Sequence, residues 1–485
     1  MDAFMPRRDP MYPGEITDEN IRAIFSGAAD FIARELRCGE FTLYAYGIDG
    51  IISGGDTSEY VIRPIAENLT GDSVEAIYTQ ALRGAVYNAV ADPCEDLDAV
   101  AIKLVNGFCV VLFPGVGAIA FEVRTGNSRG PSTPEVENTV KGAKDAFVET
   151  IRVNTSLIRR HLRAPELRLH ETTVGRRSLT NVSVIWLEGI TNPEFVERMK
   201  QRLDSIDIDG FLSPAVVEEY VSGSRATAFP LLQYTERTDR FCDGLLAGRV
   251  GLLVDGLPLG YLAPVDIGCF MNSQEDLSKD YVSASCGRIL RYGAMLLSLL
   301  LPAVYIAMTT FHQEMIPLPL LRSIIESKQA VPFPTIFEVI SLLLAFELLQ
   351  ESGVHLPQAI GQSVSIIGGI VVGTAAVEAK LISPGALIAV SVAGICGFVL
   401  PNRDFAEAIR MWRLALSVLG AIGGLFGVTV GFLLLLIHLS TLSSLGVAYL
   451  EPFVTPKQAS LFRNRFVKEK QRDPKYTPED DKKQK

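Results

Sequence analysis

Residues 414–439 read LALSVLGAIGGLFGVTVGFLLLLIHL, and residues 289–311 read ILRYGAMLLSLLLPAVYIAMTTF. Each stretch is long and apolar enough to cross a hydrocarbon layer of about 30 Å at about 1.5 Å of helix rise per residue. Before Arg288 no window holds 18 consecutive apolar residues. The chain therefore divides into a front, residues 1–285, with the character of a soluble protein, and a rear that carries membrane segments. The overall composition agrees, because 48% hydrophobic residues beside 21% charged ones implies that the two kinds are segregated along the chain.

Between the two long stretches lie three shorter apolar runs, 336–349, 364–377 and 386–400. Pro332, Pro334, Pro357, Gly361, Gly368, Gly369, Gly373, Pro384 and Gly385 punctuate them. Interrupted helices are tolerated at membrane depth only where protein or water covers the freed backbone groups, so this region is expected to line a cavity or pore, or to pack in an oligomer. Arg288 and Arg291 precede the first stretch, and Lys457, Arg463, Arg465, Lys468 and Lys470 follow the last. The positive-inside rule then places both ends in the cytoplasm. Four crossings satisfy this, at 289–311, 362–378, 384–400 and 412–438, with 336–349 as a re-entrant or interfacial helix. That scheme leaves Arg403, Arg410 and Arg413 on the outer side. A five-span scheme brings them inside at the expense of the tail.

The front reads as two α/β subdomains, 1–130 and 131–285, ahead of a transmembrane domain over 286–455 and a charged cytoplasmic tail over 456–485. Thr17 begins an amphipathic helical pattern over 17–37, and GFCVVLFPG (107–115) with GAIAFEVR (117–124) reads as a hairpin. TGNSRGPSTP (125–134) is the linker. A long linking helix over 135–163 follows, then strands at LRLHETTVG and NVSVIWLEGI, a helix over 193–206, and a strand–turn–strand over 249–264 built on DGLP.

The chain opens MDAFMPRRDPMYPGE, without the apolar core of a secretory signal, which suits a cytoplasmic front. Seven scattered cysteines form no CxxC pair and read as reduced, buried small hydrophobes. A net charge of −10 weighs against nucleic acid as a partner. Phosphate-loop, dinucleotide, zinc-protease and nucleophile-elbow motifs are absent, so the chain does not read as an enzyme, and no cofactor or metal site is expected.

Charges inside the rear are informative because an uncompensated one costs a few kcal/mol in a bilayer. Glu347 and Glu351 share a helical face, Glu338 lies about half a turn out of phase, and Glu378 with Lys380 ends the second short run. With Gln362 and Ser363 the glutamates Glu338, Glu347, Glu351 and Glu378 form a candidate cation path. The competing reading pairs Glu347 and Glu351 with Arg322 or Lys328. Gly368, Gly369 and Gly373, and likewise Gly420, Gly424 and Gly427, permit close helix approach within the chain or between copies. TERTDRF (235–241) reads as a salt-bridged surface loop, with a ligand or partner site as the alternative.

The chain resembles the A subunits of the GerA-type spore germinant receptors, a family that includes stage V sporulation protein AF. The resemblance runs through VETIRVNTSLIRRHLR (148–163), VGRRSLTNVSVIWLEGI (174–190), TERTDR (235–240), LLAGRVGLLVDGLP (245–258) and EDLSKDY (275–281). It continues through RILRYG (288–293), LPAVYIAMTTFHQEMIPLPLL (301–321), VPFP (331–334), residues 346–384 and LSSLGVAYLEP (442–452). It departs at Leu277, where members often carry a second tyrosine, and at Ala448, where they read proline. The resemblance implies two cytoplasmic subdomains and a multi-span domain in the spore inner membrane. It also implies an oligomeric component that conducts monovalent cations when germinant is sensed, working with a permease-like B subunit and a lipoprotein C subunit, or with a small membrane partner. Glu347, Glu351 and Glu378 match family motif positions. A stage V-type amplifier channel, a secondary transporter and a non-conducting scaffold are the alternatives; the transporter predicts an inverted repeat, and none is visible in the sequence.

Overall fold

The computed structural model describes residues 11–454 other than 125–133, 135–136, 138–142, 212, 224–226 and 356–372, together with residue 476. Two compact units result: among described residues, one comprises 11–223, 232–264 and 476, the other 227–231 and 265–454.

In the first unit Thr17 caps helix α1 (Asp18–Ile24) by accepting the Asn20 N–H. The helix ends early, because Gly27 takes φ +79° and strand β1 (Phe31–Cys38) begins soon after. The expected helix over 17–37 is thus corrected: residues 31–38 pair along their whole length with β2 (Phe41–Ile48), Phe31 opposite Ile48 and Cys38 opposite Phe41. That ladder, with Leu36 and Cys38 buried, outweighs a helical periodicity carried by Ile21, Ile24, Phe25, Ala28, Phe31, Ile32 and Leu36. Strands β3 (Ala91–Cys94), β4 (Phe108–Phe113) and β5 (Gly117–Glu122) complete an antiparallel sheet of order β1-β2-β4-β5-β3. All of β4 is buried because both faces are covered. Phe108, Val110 and Leu112 meet α2 (Leu97–Val105), whereas Cys109, Val111 and Phe113 meet Val61, Ile65 and Ile77.

The next part of the unit repeats that plan. After helix α3 (Ile151–His161), strands β6 (Leu167–Val174), β7 (Thr180–Leu187), β8 (Gln233–Thr235), β9 (Val250–Val254) and β10 (Gly260–Ala263) form a second antiparallel sheet. Its order, β6-β7-β9-β10-β8, is the first order with every strand number raised by five. Helices α4 (Pro193–Asp204) and α5 (Thr238–Leu246) stand in the connections as their counterparts do. The long linking helix is shortened to α3, 11 residues. Ahead of it the chain is extended, with Phe147 N–H donating to Glu236 O at 2.7 Å and Ala146 bridging to Arg237. The two sheets are locked together by Arg159 and Asp30, each 1% exposed and joined by two hydrogen bonds of 2.8 Å.

The second unit is helical: α6 (Tyr281–Thr310), α7 (Leu318–Lys328), α8 (Thr335–His355), α9 (Pro384–Phe398) and α10 (Arg403–Thr441). Helix α10 is not straight. Gly424 takes φ +59° and ψ −145°, a conformation essentially confined to glycine, and reverses the chain. Trp412 and His438 consequently lie ring to ring at 5.8 Å, and a Cβ on Gly431 would stand 2.6 Å from Leu416 Cδ2. The stretch 412–438, expected as one continuous crossing, is a two-armed hairpin.

Neighbouring contacts give each helix its direction. Gly420 lies against Ala303 O, and Gly424 against Phe311 and His312, so the first arm runs parallel to α6. Gly385 meets Tyr305 and Gly397 meets Ser298, so α9 runs opposite to α6. Helix α8 runs opposite to the first arm, with Glu347 at Arg413 and Gln350 at Arg410. One end of the bundle therefore gathers Tyr281, His355, Phe398, Arg403 and Thr441, and the other Thr310, Thr335, Pro384 and Gly424. Rather than lying apart as an interfacial helix, 336–349 belongs to α8, whose Val339, Leu342 and Leu343 are buried against Ile306 and Val390. In α7, by contrast, no residue is buried.

Candidate functional site

Three clusters of charge sit within the helical unit. The first is built on Glu338, in the first turn of α8 and 0% exposed. Its Oε2 accepts the Ser383 N–H at 2.8 Å, at the N-terminus of α9, and Lys328 Nζ lies 3.8 Å from Oε1. Lys328 also donates to Thr335 Oγ1. The positive end of α9 and the ammonium together offset the cost of burying this carboxylate.

The second cluster is on the opposite face of α8. Glu347 Oε1 receives Arg413 Nη2 at 3.1 Å, and its Oε2 lies 3.5 Å from Arg410 Nε. Arg410 donates to Gln350 and pairs with Glu407, which in turn pairs with Arg403. The result is a chain of alternating charge, Arg403–Glu407–Arg410–Glu347–Arg413, whose inner end is buried: Arg413 is 3% exposed. Arginine suits this place because its guanidinium stays charged and offers several donors in a fixed plane.

The third cluster stands at the Tyr281 end. Asp276, 1% exposed, accepts two hydrogen bonds from Arg291, at 2.6 and 2.8 Å, and one from the Ser273 N–H. Arg288 approaches at 3.4 Å, and Arg291 donates onward to Met271 O. Burial alone would raise the Asp276 carboxyl. Arg291, the Ser273 N–H and Arg288 outweigh it and hold the group below its ordinary range.

Of the six side chains singled out as a cation path, the four that are described, Glu338, Glu347, Glu351 and Glu378, are not gathered in one lining. Glu338 and Glu347 point to different partners, as their phase difference requires, and Glu351 is exposed one turn beyond Glu347. Glu378 is exposed near Lys380, which takes φ +54°. Gln362, Ser363, Gly368 and Gly369 lie outside the described residues. Gly373 is buried against Leu387, whereas Gly420, Gly424 and Gly427 serve contacts inside the chain: a Cβ on Gly427 would stand 2.1 Å from Leu419 O. Glu347 pairs with Arg410 and Arg413, not with Arg322 or Lys328. Both arginines carried a visible signal, since the four-span scheme leaves them on the outer side. In the first unit, TERTDR is an internal clamp. Arg237, 1% exposed, pairs with Asp239, and Arg240 and Thr235 both hold Glu137 of the segment between the sheets.

Residues 19–476 match the model of the Bacillus/Clostridium GerA spore germination protein family. The chain is 33% identical over 429 residues to Spore germination protein KA of Bacillus subtilis, covering 88% of this chain and 79% of that protein. It is 30% identical over 453 residues to Spore germination protein GerLA of Bacillus cereus, covering 93% and 92%. It is also 32% identical over 455 residues to a Bacillus subtilis protein described as uncharacterized membrane protein YfkQ, covering 93% and 88%. Among solved structures, the N-terminal domain of the A subunit of the Bacillus megaterium spore germinant receptor GerK3 aligns at 24% identity with a TM-score of 0.40, over 50% of this chain and 91% of that one.

Proposed function

Because the chain belongs to the GerA family of spore germination proteins, we propose that it is the membrane-embedded A subunit of a germinant receptor and forms, as an oligomer, a gated path for monovalent cations. The observation that carries this reading is the Arg403–Glu407–Arg410–Glu347–Arg413 chain, which runs from one end of the helix bundle inward to the buried Arg413. Charges retained among apolar helices are costly and mark ion routes or switches. With two guanidinium groups on Glu347 the arrangement is a closed one. Separating α8 from the first arm of α10 would release a carboxylate at the depth where a permeating cation needs one.

The hairpin supports a consistent topology. Helices α6, α8 and α9 and both arms of α10 make five passages. Helix α8 ends at the Tyr281 end of the bundle and α9 begins at the opposite end, so an even total of six passages is the count this reading takes. Both ends then lie on one side together with Arg403 and Arg410, whereas the four-span scheme strands those arginines and the five-span scheme strands the tail. The arms are short, about 25–31 Å at about 1.5 Å per residue, yet close to the thickness of a hydrocarbon core. On this reading the partners are a permease-like subunit and a lipoprotein, and the location is the spore inner membrane.

The test is potassium efflux from vesicles that carry the chain with its permease-like and lipoprotein partners, triggered by germinant. Absence of any triggered flux, in vesicles shown to contain the assembled complex, overturns the channel reading. A non-conducting scaffold is favoured by one observation, that Glu347 is already neutralised. It predicts that Glu347→Gln leaves germination unchanged.

A further inference from the structure

Helix α7, LPLLRSIIESK, joins the far ends of α6 and α8, and none of its residues is buried. At about 100° per residue its apolar side chains, Leu318, Leu320, Leu321, Ile324 and Ile325, fall on one half of the helix, and Arg322, Ser323, Glu326 and Ser327 on the other. The centre of the apolar half, Leu321 and Ile324 with Lys328, is partly covered by its own bundle, and Lys328 is tied to Glu338 and Thr335. The flanks are open: Leu318 is 62% exposed, Leu320 54% and Ile325 46%. Phe311, Met315 and Phe333, in the connections on either side of α7, are also exposed, at 47%, 58% and 39%.

We propose that α7 lies flat in the headgroup boundary of the far leaflet, its apolar flanks inserted among lipid chains and its Arg322–Ser323–Glu326 face in water. The occupant is lipid because the helix is placed, by its two connections, at the level where the spans leave the bilayer. Its open apolar flank also continues the exposed apolar surface of the adjoining first turns of α9, where Ile388 is 63% exposed. A peripheral helix with one polar face and moderate apolar content takes up this position. The inference rests on the membrane orientation given above.

A photoreactive benzoylphenylalanine is placed singly in the full chain, reconstituted in phosphatidylethanolamine–phosphatidylglycerol vesicles. The sites are Leu318, Leu320 and Ile325, with Arg322, Ser323 and Glu326 as the water-facing set and Ile395 of α9, 65% exposed, as the span control. After irradiation, mass spectrometry is expected to find at least about tenfold more lipid adduct at the first set than at the second. Lipid adducts at Ile395 but not at 318, 320 or 325 overturn the placement of α7 and leave the spans standing. Adducts of the first set to protein, whether a second copy or another chain, overturn it in favour of a protein contact. No lipid adduct at Ile395 overturns the membrane orientation itself.

Discussion

Replacing both Gly424 and Gly427 by alanine should open the α10 hairpin at its tip. A Cβ at 424 forces a non-glycine residue into φ +59°, ψ −145°, costing about 1–3 kcal/mol of backbone strain. It would also stand 2.8 Å from His312 Cε1, which can swing aside, and 3.1 Å from Phe311 Cβ, which cannot. At 427 the new carbon would stand 2.1 Å from Leu419 O, a backbone atom, so the arms have to part there. Such overpacking costs a further ~1–3 kcal/mol, for a total of roughly 2–6 kcal/mol. Spin labels at Met411 and Ile437, 64% and 59% exposed on the two arms, report the outcome by pulsed dipolar spectroscopy. A continuous helix would hold these positions about 39 Å apart at about 1.5 Å per residue, whereas packed arms lie about 8–10 Å axis to axis. The parent chain should give a distance below about 25 Å once the label arms are added to that axial spacing. The doubly substituted chain should give a broader, longer distribution and a lower melting temperature. A parent distance near 40 Å would falsify the fold-back, and an unchanged distance and melting temperature in the variant would refute the close-packing argument.

Other expectations follow from single contacts. Arg413→Gln and Glu347→Gln should each raise the resting potassium leak of vesicles, and the double variant should leak no more than the leakier single one, as one shared contact requires. No rise in resting leak for either single variant sinks the closed-latch reading. Asp30→Asn strands a fully buried guanidinium, costing about 3–5 kcal/mol. At about 2–4 °C per kcal/mol the first-unit transition should fall by roughly 10 °C, and adding Arg159→Met should recover most of it; no recovery would argue against the pair as the cause. Burial pushes the Cys109 thiol up to about 12 and Cys94 to about 11, from 9.0 when exposed. The folded state holds both protons, so their contribution to stability is complete below pH 9 and disappears as pH rises from 9 toward 12. At pH 9 only about 0.1% of Cys109 is thiolate. Iodoacetamide should therefore label the exposed Cys286 and spare Cys94 and Cys109, and rapid labelling of Cys109 in folded protein contradicts its burial.

Elements whose local pattern and tertiary surroundings agree were legible from the sequence. The β4–β5 hairpin, the β9–β10 hairpin on DGLP and α4 combine the right period with turn or capping residues at their ends. The stretch 17–37 reads as one helix because Ile21, Ile24, Phe25, Ala28, Phe31, Ile32 and Leu36 recur at helical spacing, while pairing with β2, a longer-range effect, decides the structure of 31–38. The duplicated sheet order was invisible because topology repeats here through pairing rather than through recurring residues.

The α10 turn shows why a signal can be seen and still be misassigned. Gly420, Gly423, Gly424, Gly427 and Gly431 stand out in the sequence, but glycines spaced along an apolar stretch are what two separate helices in contact also require. A turn in water is announced by Asn, Asp, Ser or Pro. A turn lodged against Phe311 and His312 has no use for them, and a single glycine at φ +59° suffices. Misreading it carried the charges along. With 412–438 taken as one crossing, the four-span scheme puts Arg410 and Arg413 on the outer side and offers no reason to pair them with Glu347, from which they are 63 and 66 residues distant. Once the chain folds back, the arginines belong with the Tyr281 end of the bundle, where Glu347 meets them. On the proposed topology the positive-inside conflict and the unexplained glutamate are thus one problem, with a single glycine at its root.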